Sequence, residues 1–599
     1  MSPSASTQDL AVHLTALPDR EVAALLVARP DLAAPPSSSF LALATRAGAQ
    51  GSVEQALAGL DAPTLAVAEA VVALSGPTES EETEGGGGTR TAEGDGSDGN
   101  VQSKGEPADP ADADLAGLVA AHLPLPAGQV AEVLGHLHRL ALVVEGRPVA
   151  ALEAAFGPHP FGLGPWAAEP LSAEQLPPTL AELSEDVAGE PVVPAASVEM
   201  LQALTWGPPA GTLRSGGRAA GAAPLIERGW LERSSDSQGR TRFILPRQVA
   251  LALRGGRLTR ESLTAPEAGD LETVGADVVA SEASFHAEEA VRLVAALLEE
   301  WGREGGTIRR TGGVSVRALT RTADALDLEL HEAARIIEIA AGAGLLGLDD
   351  DGATWVPSTL AAGWLTDSLP QRWAPLALAW SGSARTSWLT GTRDDDGALR
   401  AVLGPDLEAG WAVRLRARVL ALLGDLSQGT SATLAFVRAA LTWQSPRRTI
   451  PGGAISAVLA EAETLGITGG GALTEAGRIL ARRAAASLDE QDVVRSGSTG
   501  DAGGAEGTDG DAHAEVLSDD ETLAALEAAL AADLPAAVDM ILVQSDLTAI
   551  VPGRPAPELA ALLERTSVVE SRGGALTVRF TPESVRGALD VGYRAEEIT

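Results

Sequence analysis

Cysteine is absent from the 599 residues, which excludes disulfides, thiolate metal sites, iron–sulfur clusters and cysteine nucleophiles. Lysine is almost absent: Lys104 is the only one among 44 basic residues, and Tyr593 is the only tyrosine. No stretch offers the ~20 uninterrupted apolar residues of a membrane-crossing helix. The opening MSPSASTQDLAVHL has no basic segment followed by an apolar run, so no signal peptide is expected and the chain is expected to be soluble and cytoplasmic.

The missing lysines decide a function class. A P-loop ATPase needs a lysine on the β- and γ-phosphates after a glycine-rich turn, and no G-x-x-x-x-G-K-[ST] occurs. Lys104 lies in QSKGE, within a run of acids, and arginine is a poor stand-in for a compact ammonium. Other chemistry is equally thin. His331-Glu332 lacks the second histidine of H-E-x-x-H, because Arg335 occupies that place, and His136 and His138 are two apart, on different helix faces. Asp349-Asp350-Asp351-Gly352 and Asp394-Asp395-Asp396-Gly397 fit turns and lack the ligand ladder of a calcium loop. The expectation is a non-enzyme with no cofactor and no metal.

What is abundant is acid: 82 Asp and Glu give a net charge of −38, so duplex DNA would repel the chain as a whole. Two segments, 77–114 and about 488–521, hold eleven acids each, are poor in large apolar residues, and read as disordered linkers. The rest reads as mainly α with small β-hairpins. Residues 1–76 form a helical domain. An apolar helix, a short strand, a glycine-bearing turn, a second strand and another helix then recur at His136–Phe156, Leu225–Leu253, Ile336–Leu365 and Leu459–Leu480. This is the back half of a winged helix. It predicts winged-helix-like modules over 115–190 (the weakest), 191–265, 285–366 and 411–487, with a tryptophan-bearing connector at 367–410. Trp355, Trp364, Trp373, Trp380 and Trp388 recur seven to nine residues apart, a spacing of two helical turns that favours packing over base stacking. An α+β domain fills 522–599, with MILVQSDLTAIVPG as a strand and a hairpin turning at Gly573-Gly574.

Arginine clusters on these modules are the candidate DNA contacts. They are Arg240 and Arg242 on the wing of the second module, with Arg247, Arg254 and Arg257 after it; Arg317 and Arg321 near the candidate recognition helix of the third; Arg414 and Arg416 on a helix of the fourth, and Arg447 and Arg448 in its loop.

The segment ILVQSDLTAIVPG, followed by VVESRGGALTVRFTPESVRGALDVGYRAEEI, resembles the domain at the N-terminus of XPB-type DNA helicases. More broadly the chain, its linkers excepted, resembles actinobacterial helicase-associated proteins that carry this domain near their C-terminus. LTALPDREVAALLVARPDLAAPPSSSFLALATRAGA and RFILPRQVALALRGG are similar to their segments. The resemblance implies a DNA-associated role, supplies no catalytic residues, and implies a last domain that continues beyond Thr599. Two functions stay open: a DNA-binding or helicase-accessory protein, and a scaffold that recruits a helicase, nuclease or transcription partner without touching DNA.

Overall fold

The computed structural model describes residues 4–76, 110–184, 192–212, 219–235, 241–394, 396–494, 517–572 and 576–598. Most of both expected linkers, and the Gly573-Gly574 turn, lie outside the described residues. The linker edges are shorter than expected. A helix already starts at Pro110, and Ser518 caps another from Asp519 through a capping box with Glu521. The chain is mainly helical, with small antiparallel sheets and a four-stranded C-terminal sheet. It divides into two compact units. The N-terminal unit takes Met1–Pro266 and also Ala440–Thr449; the C-terminal unit takes Glu267–Ala439, Ile450–Asp489 and the last domain.

In the N-terminal unit one continuous buried cluster runs from Ala5 to Leu263, so the first helical block and the first two modules share a core. Its axis is the helix Ala62–Leu74, capped by Asp61 and buried on almost every side. Helix α1 (Thr7–Ala16) lies near α2 (Ala127–Arg139), which leads into a two-residue hairpin. Glu145 and Gly146 turn that hairpin at φ 49° and 71°, the signs a tight two-residue turn needs. The second module runs α3 (Ala195–Thr205), β1 (Ala210–Thr212), α4 (Ala219–Glu227), β2 (Glu232–Ser235), β3 (Thr241–Ile244) and α5 (Arg247–Leu253), with sheet order β1-β3-β2.

His13 on α1 meets His138 on α2 edge to face, with ring centroids 4.2 Å apart. His13 Nε2 and His138 Nδ1 are buried without a hydrogen-bond partner. Burial, and then His138, push the His13 imidazole down to about 4. Between pH 6.5 and about 4 the unfolded chain therefore binds the extra proton and stability falls as pH falls. The full shift, discounted for partial solvent exposure, gives a loss of about 1–2 kcal/mol. Burial raises Glu69 and Glu153, which act in the opposite sense above the usual carboxylate range. The measurement is therefore a difference: urea unfolding at pH 7 and pH 4.5 should show a smaller acid loss in His13→Leu than in the parent. Equal losses would refute the assignment.

The C-terminal unit starts with the long helix α6 (Ala276–Arg303), whose Val291, Val294, Leu297, Leu298 and Trp301 are buried. Then come β4 (Gly306–Thr307), α7 (Val316–Leu326), α8 (Leu330–Gly342), β5 (Leu346–Leu348) and β6 (Thr354–Pro357), with sheet order β4-β6-β5. This is the helix and strand order of a winged helix. Gly306 lets β4 pass over the Trp301 ring, since a Cβ there would lie 2.7 Å from it. The connector helix α9 (Leu369–Ser381) packs against α6 and α8. It carries Trp373 and Trp380 inward, as the helical spacing predicted. The fourth module has α10 (Gly410–Gly424), α11 (Ala454–Thr464), the hairpin β7 (Thr468–Gly469) and β8 (Ala472–Leu473), and the helix Glu475–Val494.

The last domain holds β9 (Leu542–Val543), β10 (Thr548–Val551), β11 (Val568–Arg572) and β12 (Leu576–Arg579) in the order β9-β10-β12-β11, with helices Pro557–Thr566 and Pro582–Asp590. The expected single strand over MILVQSDLTAIVPG is in fact a hairpin. Asp546 accepts the Thr548 backbone N–H at 3.1 Å and Leu547 takes φ 66°, so the chain reverses there.

Candidate nucleic-acid interface

A winged module that reads DNA offers the groove a polar third helix and offers phosphates a basic wing. The third module does neither. On α8, Ala333, Ala334, Ile336, Ile337, Ile339 and Ala340 are buried, under α9 and the turn Ser387–Leu389 among others. Glu338, which the helical pattern would place on a polar face, is buried too. It accepts Arg385 Nε at 2.8 Å, Arg385 Nη2 at 3.0 Å and the Leu403 backbone N–H at 2.7 Å. The wing tip is Asp349-Asp350-Asp351-Gly352. Asp349 Oδ1 accepts the N–H groups of Ala353 and Thr354, which closes the turn and holds its carboxyl below the usual range. The wing thus presents carboxylates where a phosphate would approach. Arg321 is bound to Glu304 at 2.6 Å and to Glu300 at 3.4 Å, while Arg317 is exposed.

In the fourth module Arg416 is 1% exposed. It donates to the carbonyls of Ser383 and Arg385 and pairs with Glu461 at 2.9 Å. Glu461 also accepts Trp380 Nε1 at 2.8 Å and the Ser387 hydroxyl, and the Arg416 guanidinium lies over Trp380 and Trp388. Arg414, on the same helix, is half-buried. Arg447 and Arg448 belong by their contacts to the N-terminal unit. Arg447 donates to the Ala155 carbonyl and lies 4.5 Å from the Phe156 ring, and exposed Arg448 donates to the Ala58 carbonyl.

The second module differs in charge. Residues 206–260 hold ten arginines against Glu227, Glu232 and Asp236, in a chain that is otherwise strongly acidic. Among the described ones, two are interior. Arg247 donates to the Gly164 and Ala73 carbonyls, and Arg254 to those of Thr205, Phe161 and Leu258. Burial lowers both to about 10, so they stay protonated at neutral pH. Arg247, Arg254 and Arg416 therefore cannot meet a phosphate in the folded chain. Their charge is spent on backbone carbonyls and, for Arg416, on Glu461. Arg240 lies outside the described residues. Arg242, half-buried on β3, and exposed Arg257 remain from the sequence set. Exposed Arg260, the last arginine of the acid-free run that starts at Arg240, joins them, as does exposed Arg233 on β2, which was not singled out from sequence.

Among the described residues no group of three or more His, Asp or Glu is arranged to hold a metal, and no helix is long and apolar enough to cross a membrane. Residues 541–599, about a tenth of the chain, match a family model described as the helicase conserved C-terminal domain. These are the residues on which the helicase resemblance rests most specifically. No curated protein matches the chain.

Proposed function

We propose that this chain is a cytoplasmic, non-catalytic helicase-associated protein of the actinobacterial kind, with an XPB-type accessory domain at 541–599, and that it holds DNA through the second winged-helix-like module. The observation that carries the reading is the pairing of a helicase-domain match with a sequence whose only lysine, Lys104, lies outside any P-loop. The module's solvent-facing arginines would take phosphates, since the net charge of the rest opposes contact elsewhere.

The test is fluorescence anisotropy on duplex DNA across a salt series, with ATP hydrolysis assayed in the same preparation. Binding should weaken steeply with salt. Replacing Arg233, Arg242, Arg257 and Arg260 together with alanine should raise Kd roughly 100-fold at low salt and flatten the salt slope by about 3.6, near 0.9 per lost phosphate contact. Arg247 and Arg254 are unsuitable probes, because their loss attacks the fold. DNA-stimulated hydrolysis by the pure protein, or no binding by the folded protein at low salt, overturns the proposal.

A second reading, a protein–protein scaffold for a helicase, nuclease or transcription partner, draws on the last domain. Its edge strands leave Leu542 53%, Val543 60% and Val568 51% exposed, over a small buried cluster that includes Ala549, Val551, Leu563 and Val578. Partners retained in a nuclease-treated pull-down by a protein that fails to bind DNA would favour it.

A further inference from the structure

The chain pairs arginine with tryptophan repeatedly, and nearly always as internal packing. Trp166, Trp230, Trp364 and Trp380 each lie beside a guanidinium, and each donates its indole N–H to a protein acceptor: the Ser75, Gln175 and Arg372 carbonyls and the Glu461 carboxylate. Trp206, which ends α3, departs from that pattern. Its side chain is only half-buried, and among the described residues its indole N–H has no protein partner; the N–H of Trp388 is also unpaired but is buried beside Arg416. Two guanidinium carbons, those of Arg254 and Arg260, each lie 4.3 Å from its ring centroid. Two cations thus lie against the same indole.

The two cations are held very differently. Arg254 is 3% exposed and fixed by three backbone carbonyls, so it is held rigidly. Arg260 is exposed, and among the described residues it makes no hydrogen bond or ion pair. Only the ring holds it, an attraction of roughly 0.5–1 kcal/mol at an exposed site. A nucleobase is planar and about as thick as a guanidinium, and it stacks on an indole more strongly than that.

We propose that Trp206 is a stacking platform for an unpaired nucleobase, with Arg260 as its displaceable cover. On binding, the base slides onto the indole and Arg260 swings to the adjacent phosphate, with Arg257 beside it on the exposed chain. Bases in an intact duplex are already stacked, so this surface selects single strands or the open arm of a fork. The inference rests on the DNA-holding function proposed above.

The experiment compares the full-length parent and Trp206→Leu on a labelled oligo(dT) strand and on a duplex of equal length. Loss of one stacked base should weaken single-strand binding about 10-fold or more, within the roughly 5- to 150-fold that such stacking is worth, with duplex affinity within about 2-fold. Undiminished single-strand affinity in a folded Trp206→Leu protein that still binds duplex overturns the platform and leaves the DNA function standing. Absence of binding to either probe by the parent overturns both. If the leucine variant fails to fold, 2-aminopurine placed along the strand reports on the parent directly. Quenching at saturation supports stacking, and unchanged emission at every position overturns it.

Discussion

Arg416→Ala is expected to cost about 3–5 kcal/mol, because it leaves the Glu461 carboxylate buried without its cation. Removing one partner of a buried pair is far worse than removing both. The double variant Arg416→Met with Glu461→Leu should therefore recover most of the loss, provided that the Trp380 N–H and Ser387 hydroxyl, which both bind Glu461, tolerate its absence. Urea unfolding followed by tryptophan fluorescence reads this directly, since Trp373 and Trp380 are buried in the same unit. The chain has two units, so the affected transition should shift by itself while the N-terminal unit's transition stays in place. A single-variant cost under about 1 kcal/mol, the size of an exposed pair, would show that the pair is hydrated in solution.

Gly466→Ala should be nearly as damaging, for steric rather than electrostatic reasons. Gly466 joins α11 to β7 at φ 66°, and a Cβ there would lie 2.1 Å from the Ala283 carbonyl oxygen and 2.9 Å from the Ala287 nitrogen, both on α6. Helix backbone cannot yield as a side-chain tip can. Overpacking of about 1–3 kcal/mol adds to roughly 1–2 kcal/mol for the left-handed backbone, giving about 2–5 kcal/mol. Gly453 supplies the control. It has φ 78° with nothing within 4 Å, so Gly453→Ala should carry the backbone cost alone. Equal midpoint shifts for the two variants would mean that close approach contributes nothing.

Much of the architecture was legible because turns announce themselves. Asp349 to Gly352, Glu145-Gly146 and the glycines near Gly470 mark hairpins at the places where strands reverse. Apolar periodicity likewise put Trp373 and Trp380 inside. The fate of individual arginines was not legible. Arg254 and Arg257 read alike in LALRGGRL, yet one is interior and the other faces water. The difference is set by acceptors far along the chain, such as Phe161, 93 residues away from Arg254. Arg247 depends on the Ala73 carbonyl, 174 residues away. Nor does RIIEIAAG reveal that Glu338 is inside, because its partner Arg385 enters 47 residues later. Local pattern fixes which positions carry charge; only tertiary contact decides which of those charges can reach a ligand.

The ten residues Ala440–Thr449 belong to the N-terminal unit although unit-two sequence flanks them on both sides. Trp443 donates to the Leu263 carbonyl, Arg447 to Ala155 and Arg448 to Ala58. During synthesis the first unit therefore waits for a strap that the ribosome starts to deliver 174 residues after Pro266. Until then the half-made chain must keep its apolar surface covered by other means.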